Sequence, residues 1–185
     1  MPVPRLLALA LLLLVPVAGC GTDRSAPPDA PPPAPAPAAG QPSRSAEFNA
    51  ADVAFVRALI PHHEQGIALA ELGADKATDP DVRMLAKAIV TTQRDETTRM
   101  RGWLTAWRQP AAPSAPAGEP ATAGGKSLDR AFLTRLIAHQ QEAIKLADRE
   151  ARDGRNINAV SLAEQIQRSR AAEIKQMRAH LAALT

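Results

Sequence analysis

Three side-chain types in this chain bind metal ions well, and they recur at fixed spacing. His62 and His63 are followed by Glu96 and Met100, four residues apart. The second half repeats the pattern as His139, then Glu173 and Met177, again four apart. Imidazole with thioether is a soft donor set that suits copper(I) or silver(I). Imidazole with carboxylate suits zinc, iron or copper(II). His62, His63, His139, Glu96, Glu173, Met100 and Met177 are therefore the candidate metal ligands. Neighbouring residues on a helix diverge by about 100°, so His62 and His63 are expected to face different helices. The same residues also suit a plain core. Methionine on an apolar stripe often fills gaps, and Glu96 or Glu173 could pair with an arginine such as Arg170.

Catalysis finds little support. Di-iron bundles use Glu-x-x-His on core helices, and no histidine here has a glutamate three residues before it. The single cysteine, Cys20, lies in the leader, and no Ser-His-Asp set is suggested. A non-enzymatic protein is expected. A net charge of +3 is too balanced for an electrostatic nucleic-acid binder, and aromatics make up only 3% of the residues, so base stacking is disfavoured.

The elements that must position these residues follow from an internal repeat. Shifting the chain by 77 positions aligns Asp52 with Asp129, Phe55 with Phe132, His62 with His139, Glu96 with Glu173 and Met100 with Met177, without a gap. Gln140 stands where His63 does. Such a duplication sets the architecture. Each repeat reads as two helices. In the first, Asn49 is the expected N-cap, with Asp52 three residues on. A stripe then runs Phe55, Leu59, His62, Gly66, Leu69. Asp79-Pro80 starts the second helix as cap and first-turn proline. Its stripe runs Val82, Leu85, Ile89, Gln93, Glu96, Met100, Trp103, Trp107. In the second repeat Ser127 is the expected cap, and Asp153-Gly154-Arg155-Asn156 the break. Pro61 removes an amide donor inside the first helix and is expected to kink it. The fold class is all-α, a four-helix bundle of two duplicated helical hairpins, with the repeats at 49–108 and 127–184 and a Pro/Gly/Ala-rich linker at 109–126.

The N-terminus reads as an export signal. Leu6 to Ala18 is an apolar run behind Arg5, too short to span a bilayer, and it closes on Val17-Ala18-Gly19-Cys20. Small residues before a cysteine resemble the bacterial lipobox, in which Cys20 is lipidated and becomes the mature N-terminus. Residues 1–20 are thus expected to be a lipoprotein signal peptide. The Pro/Ala-rich stretch at 21–47 would be an extended tether, with the bundle at 48–184 held on the extracytoplasmic side of the membrane.

The runs Asp52 to Ala70, Ala77 to Arg83 and Phe132 to His139 resemble the Domain-of-Unknown-Function 305 family. The Ile60-Pro61-His62-His63 core and its repeated partner carry the resemblance, which spans about residues 48 to 183. It implies a ferritin-like bundle, commonly exported and often lipid-anchored, with some members linked to periplasmic copper or silver handling. The family's histidine pairs fall on His62 and His63, and on His139 and Gln140. Its methionines fall on Met100 and Met177, while further methionine positions hold Ala58, Leu59, Leu69, Leu136 and Leu146. The expected role is copper or silver buffering at the cell envelope. The alternative is a non-catalytic interaction module serving an envelope protein or a second copy of the chain.

Overall fold

The computed structural model describes residues 44–114 and 125–184. The expected signal peptide, Cys20 and most of the tether lie outside these residues. Among the described residues there are four helices and no strand beyond one isolated bridge: α1 (Ala50–Lys76), α2 (Pro80–Ala106), α3 (Gly125–Asp153) and α4 (Ile157–Ala183). They form the expected bundle of two helical hairpins.

Local chemistry sets most of the helix ends. Asn49 Oδ1 accepts from the amides of Ala51 and Asp52, and Asp52 Oδ2 accepts from Asn49 N at 2.6 Å, a complete capping box. Asp79 and Asn156 cap α2 and α4 through their side chains alone, each accepting from two first-turn amides. The expected cap at Ser127 is not used. Helix α3 begins two residues earlier, at Gly125, whose φ of 63° lies in the left-handed region that glycine tolerates. Helix α2 ends at Ala106, so Trp107 of the expected stripe is its C-cap residue. Helix α1 continues past Pro61 to Lys76.

Helices α1 and α2 pack as one hairpin and α3 and α4 as the other, and α1 and α3 form the main seam between them. The core has two apolar clusters. One joins the C-terminal half of α1 to Val82, Leu85 and Ile89 of α2, Phe132, Leu133 and Leu136 of α3, and Met177 of α4. The other joins Phe55, Val56, Leu59 and Ile60 of α1 to Met100 and Leu104 of α2, Ala143 and Ala147 of α3, and Leu162 and Ile166 of α4. Helices α1 and α3 therefore run antiparallel, and a pseudo-twofold axis crosses the bundle between them. Helix α2 ends at the Phe55 end while α3 starts at the Phe132 end.

The hairpins also fasten each other's turns. Asp129, at the start of α3, accepts from Thr78 N, Thr78 Oγ1 and Asp79 N at 2.8, 2.6 and 3.0 Å. Its repeat mate Asp52 accepts from Arg155 N and Asn156 N at 3.1 and 2.9 Å. Each buried carboxylate thus closes the turn of the opposite hairpin. Both aspartates are fully buried, so hydrogen bonding must stand in for lost water.

Candidate metal centre

A polar belt separates the two apolar clusters at mid-height. Each helix contributes to it near its middle: His62, His63 and Gly66 from α1, Gln93 and Glu96 from α2, His139 and Gln140 from α3, and Arg170 and Glu173 from α4. Burying so many polar groups is costly unless they pair, and most of them do.

The pairing follows the repeat. His63 Nε2 lies 2.7 Å from Glu96 Oε2, both fully buried. In the second repeat Gln140 Nε2 donates to Glu173 Oε2 in the same way. The cross-links between repeats differ. Gln93 Nε2 donates to Gln140 Oε1 at 3.4 Å. Its repeat mate Arg170, fully buried, donates to Glu96 Oε2 at 2.5 Å and to Glu173 Oε1 at 2.8 Å. One guanidinium thus bridges both interior glutamates.

His62 and His139 form no such bonds. They sit astride the pseudo-twofold axis with rings stacked, centroids 3.8 Å apart and planes inclined by 13°. Gly66 makes room for this pair: a Cβ there would lie 2.5 Å from His139 Nε2 and clash with Gln93 Oε1. The His62 and His63 rings diverge as expected, their centroids 6.2 Å apart and their planes tilted by 55°.

Electrostatics keep the imidazoles neutral. Burial, then the neighbouring His139 and His63, lowers the His62 pKa to about 3. Burial and the neighbouring His63 lower that of His139 to about 4. Burial also holds His63 below its ordinary value, outweighing its bond to Glu96. For Glu96, burial acts upward, but the His63 hydrogen bond and the Arg170 charge together bring it below the ordinary carboxylate range. Glu96 is then an acceptor, so neutral His63 carries its proton on Nε2 and presents a lone pair at Nδ1. Burial raises the Glu173 pKa despite Arg170.

Of the expected ligands, the belt gathers His62, His63, His139, Glu96 and Glu173. Met100 and Met177 lie one helical turn, about 5.4 Å of rise, from Glu96 and Glu173. They enter opposite apolar clusters, so the two thioethers share no site. Among the described residues no three His, Cys, Asp or Glu side chains are arranged to hold an ion together. The belt nonetheless fits a softer, lower-coordinate ion in one respect. His62 Nδ1 and Nε2, His63 Nδ1 and His139 Nε2 are buried without hydrogen-bond partners, and neutral imidazole nitrogens are metal donors. Sequence reasoning gave Arg170 only as an optional partner for a glutamate. The repeat held the missing signal: Gln93 lies on the α2 stripe, and position 170 is its mate.

The model of the family described as domain of unknown function DUF305 matches residues 52–123 and again 118–181, once for each repeat. The chain belongs to the DUF305 family. Solved structures show the same fold. CopM in a silver-bound form is 32% identical with a TM-score of 0.65, covering 71% of this chain and 95% of that one. CopM in the Cu(I)-bound form is 30% identical with a TM-score of 0.65, covering 71% and 96%. A DUF305 protein from Streptomyces coelicolor, described as secreted, is 26% identical with a TM-score of 0.65, covering 72% and 92%. Among curated proteins, none matches. No described helix of this DUF305 chain is long and apolar enough to cross a membrane.

Proposed function

We propose that this DUF305 protein is exported, anchored to the membrane through a lipid on Cys20, and buffers or hands on copper(I) or silver(I) at the cell envelope without catalysing a reaction. One observation carries the reading: the stacked, neutral His62–His139 pair on the pseudo-twofold axis, in which His62 Nδ1, His62 Nε2 and His139 Nε2 are buried without partners. Uncompensated buried polar atoms at a symmetric point call for an explanation, and a bound ion supplies one. Support also comes from CopM, of the same fold, crystallised with Cu(I) and silver. The ion would be held by His62 and His139, with His63 oriented by Glu96 beside them. A soft monovalent ion suits two neutral imidazoles, since it asks for few donors and little charge compensation.

The test is titration of residues 21–185 with copper(I) against a competing chelator. Binding should be lost in the variant carrying His62→Ala and His139→Ala. Unchanged affinity in that variant would sink the proposal. The second reading, an interaction module that keeps the fold without metal, draws on the belt being largely paired within the protein. Under that reading copper(I) leaves the melting temperature unchanged, whereas an ion bound only by the folded state raises it.

A further inference from the structure

The two ends of the bundle are not alike. The chain that carries the expected anchor enters at the Phe55 end, where Ser45 N donates to Arg155 O and Ser45 O accepts from Ile157 N, both at 2.9 Å. Both tryptophans of the sequence lie at this same end. Phe48, Trp107 and Trp103 form a column of rings, with successive centroids 4.9 and 6.1 Å apart and planes inclined by 18° and 20°. All three are part-exposed, whereas Phe55 and Phe132 are buried. Ile157, bonded to Ser45, is 53% exposed. Arg108 follows the column, and Arg149 and Arg152 lie in the last turns of α3 at the same end; all three are exposed and without an ion pair among the described residues. We infer that this end of the bundle is a membrane-docking surface, which sets its aromatic column and its arginines against the anionic headgroups of the lipid layer that holds the anchor. The inference rests on the lipid-anchor reading above only for bringing a membrane within reach.

Tryptophan favours the boundary between hydrocarbon and water because its ring is apolar while its N–H needs an acceptor. Among the described residues neither indole N–H has an acceptor, and neither is buried away from water. Trp103 and Trp107 pack against the Phe55 cluster, so the core fixes their place. Rings held in this way lose little conformational freedom on meeting a second surface. The arginines supply the complementary charge. Their stems can lie along apolar surface while the guanidinium reaches a phosphate. Arg44 and Arg155, beside the entry point, are already paired with Glu164 and Glu47, which leaves Arg108, Arg149 and Arg152 to meet the lipid. The opposite end also carries exposed basic residues, Lys76, Lys126 and Arg135, but no Phe or Trp ring reaches the surface there. The anchor acts at the aromatic end because the entry point and the column meet at Phe48. Tethering makes the contact intramolecular, so a weak surface suffices.

The experiment uses residues 21–185, the mature chain without Cys20 and its lipid, which keeps the whole bundle. It is mixed at low salt with vesicles of phosphatidylcholine alone or of phosphatidylcholine and phosphatidylglycerol in equal parts. Wild type should sediment with the anionic vesicles, and less so as salt rises. Because both tryptophans lie at the docking end, their emission should move to shorter wavelength on binding and be quenched by lipids brominated on the acyl chains. The triple variant Arg108→Gln, Arg149→Gln, Arg152→Gln should bind about fivefold more weakly for each charge removed, on the order of a hundredfold in all. A control at the opposite end, Lys76→Gln, Lys126→Gln, Arg135→Gln, has the same net charge and should bind as wild type does. Both variants change only exposed side chains and should melt with the wild type. Failure of wild type to bind the anionic vesicles overturns the inference, and is the result expected if this end serves a protein partner instead. So does binding that leaves tryptophan emission unchanged, binding indifferent to the three arginines, or a control weakened as much as the first variant. Lipidation of Cys20 is read separately, from the mass of the full chain recovered from membranes, so either conclusion can fail alone.

Discussion

At the scale of single residues, the site depends on an absent side chain. Gly66 lets His139 approach α1, and its mate Ala143 shows that the second repeat needs no such gap. Gly66→Ala should therefore displace His139 or Gln93. A cost of about 1–3 kcal/mol is expected, as for other overpacked cores, read by urea unfolding together with altered histidine ring shifts in the NMR spectrum. The stacked pair also gives the protein an acid limit. Both histidines have folded pKa values below that of the free side chain, so the unfolded chain binds their protons first. Their contribution is fully present above about pH 6.5 and is lost as pH falls toward 4 and 3. A protein carrying His62→Gln and His139→Gln should show a shallower loss of stability across that range. The sequence disclosed which types were present and that they repeat. It did not show that His62 would meet its own mate while His63 met Glu96, because that depends on where α1 and α3 cross.

Elements are held in place by two aspartates whose caps serve the opposite hairpin. Asp129→Ala removes three hydrogen bonds to the α1–α2 turn. At about 1.5–3 kcal/mol for each bond to a charged acceptor, at least about 4 kcal/mol should be lost, measured by chemical denaturation. The other turn is built differently. Position 155 holds arginine where the first repeat has Thr78, so no hydroxyl reaches Asp52 there, and Glu150 lies close by instead. Burial, a hydrogen bond with Asp52 and the nearby charges of Asp52 and Asp153 push the Glu150 pKa up to about 9. Because this pKa is raised on folding, its contribution is fully present below about pH 4.5 and declines as pH rises to about 9. Glu150→Gln should flatten that decline in melts run from pH 5 to pH 9, and an unchanged slope would remove Glu150 from the account. The caps at Asn49, Asp79 and Asn156 were legible because capping is local chemistry. The turn-closing role of Asp52 and Asp129 was not, since their partners lie about 50 and 100 residues away in the chain. Ser127 misled for a related reason: a good cap residue competes with a glycine two positions earlier that can already turn the chain.

The whole molecule is two hairpins that finish one another. The repeat of 77 residues was legible at once, and with it the bundle, but not the division of the core into two apolar halves by a charged belt. The first hairpin alone, residues 44–114, keeps an apolar seam and an unfastened turn. It should be unfolded at low concentration and dimerise as concentration rises, with Asp52 of each copy serving Thr78 of the other. Sedimentation and circular dichroism over a concentration series would check this, and a folded monomer would count against it. Such a dimer would differ from the native protein in parity. Two identical hairpins related by an axis can set charges at their centre only in twos, so they could hold two guanidinium groups there or none. Joining both copies in one chain frees them to diverge, and the centre can then hold an odd number. The single Arg170 between two glutamates is an arrangement that a symmetric pair of identical hairpins cannot encode.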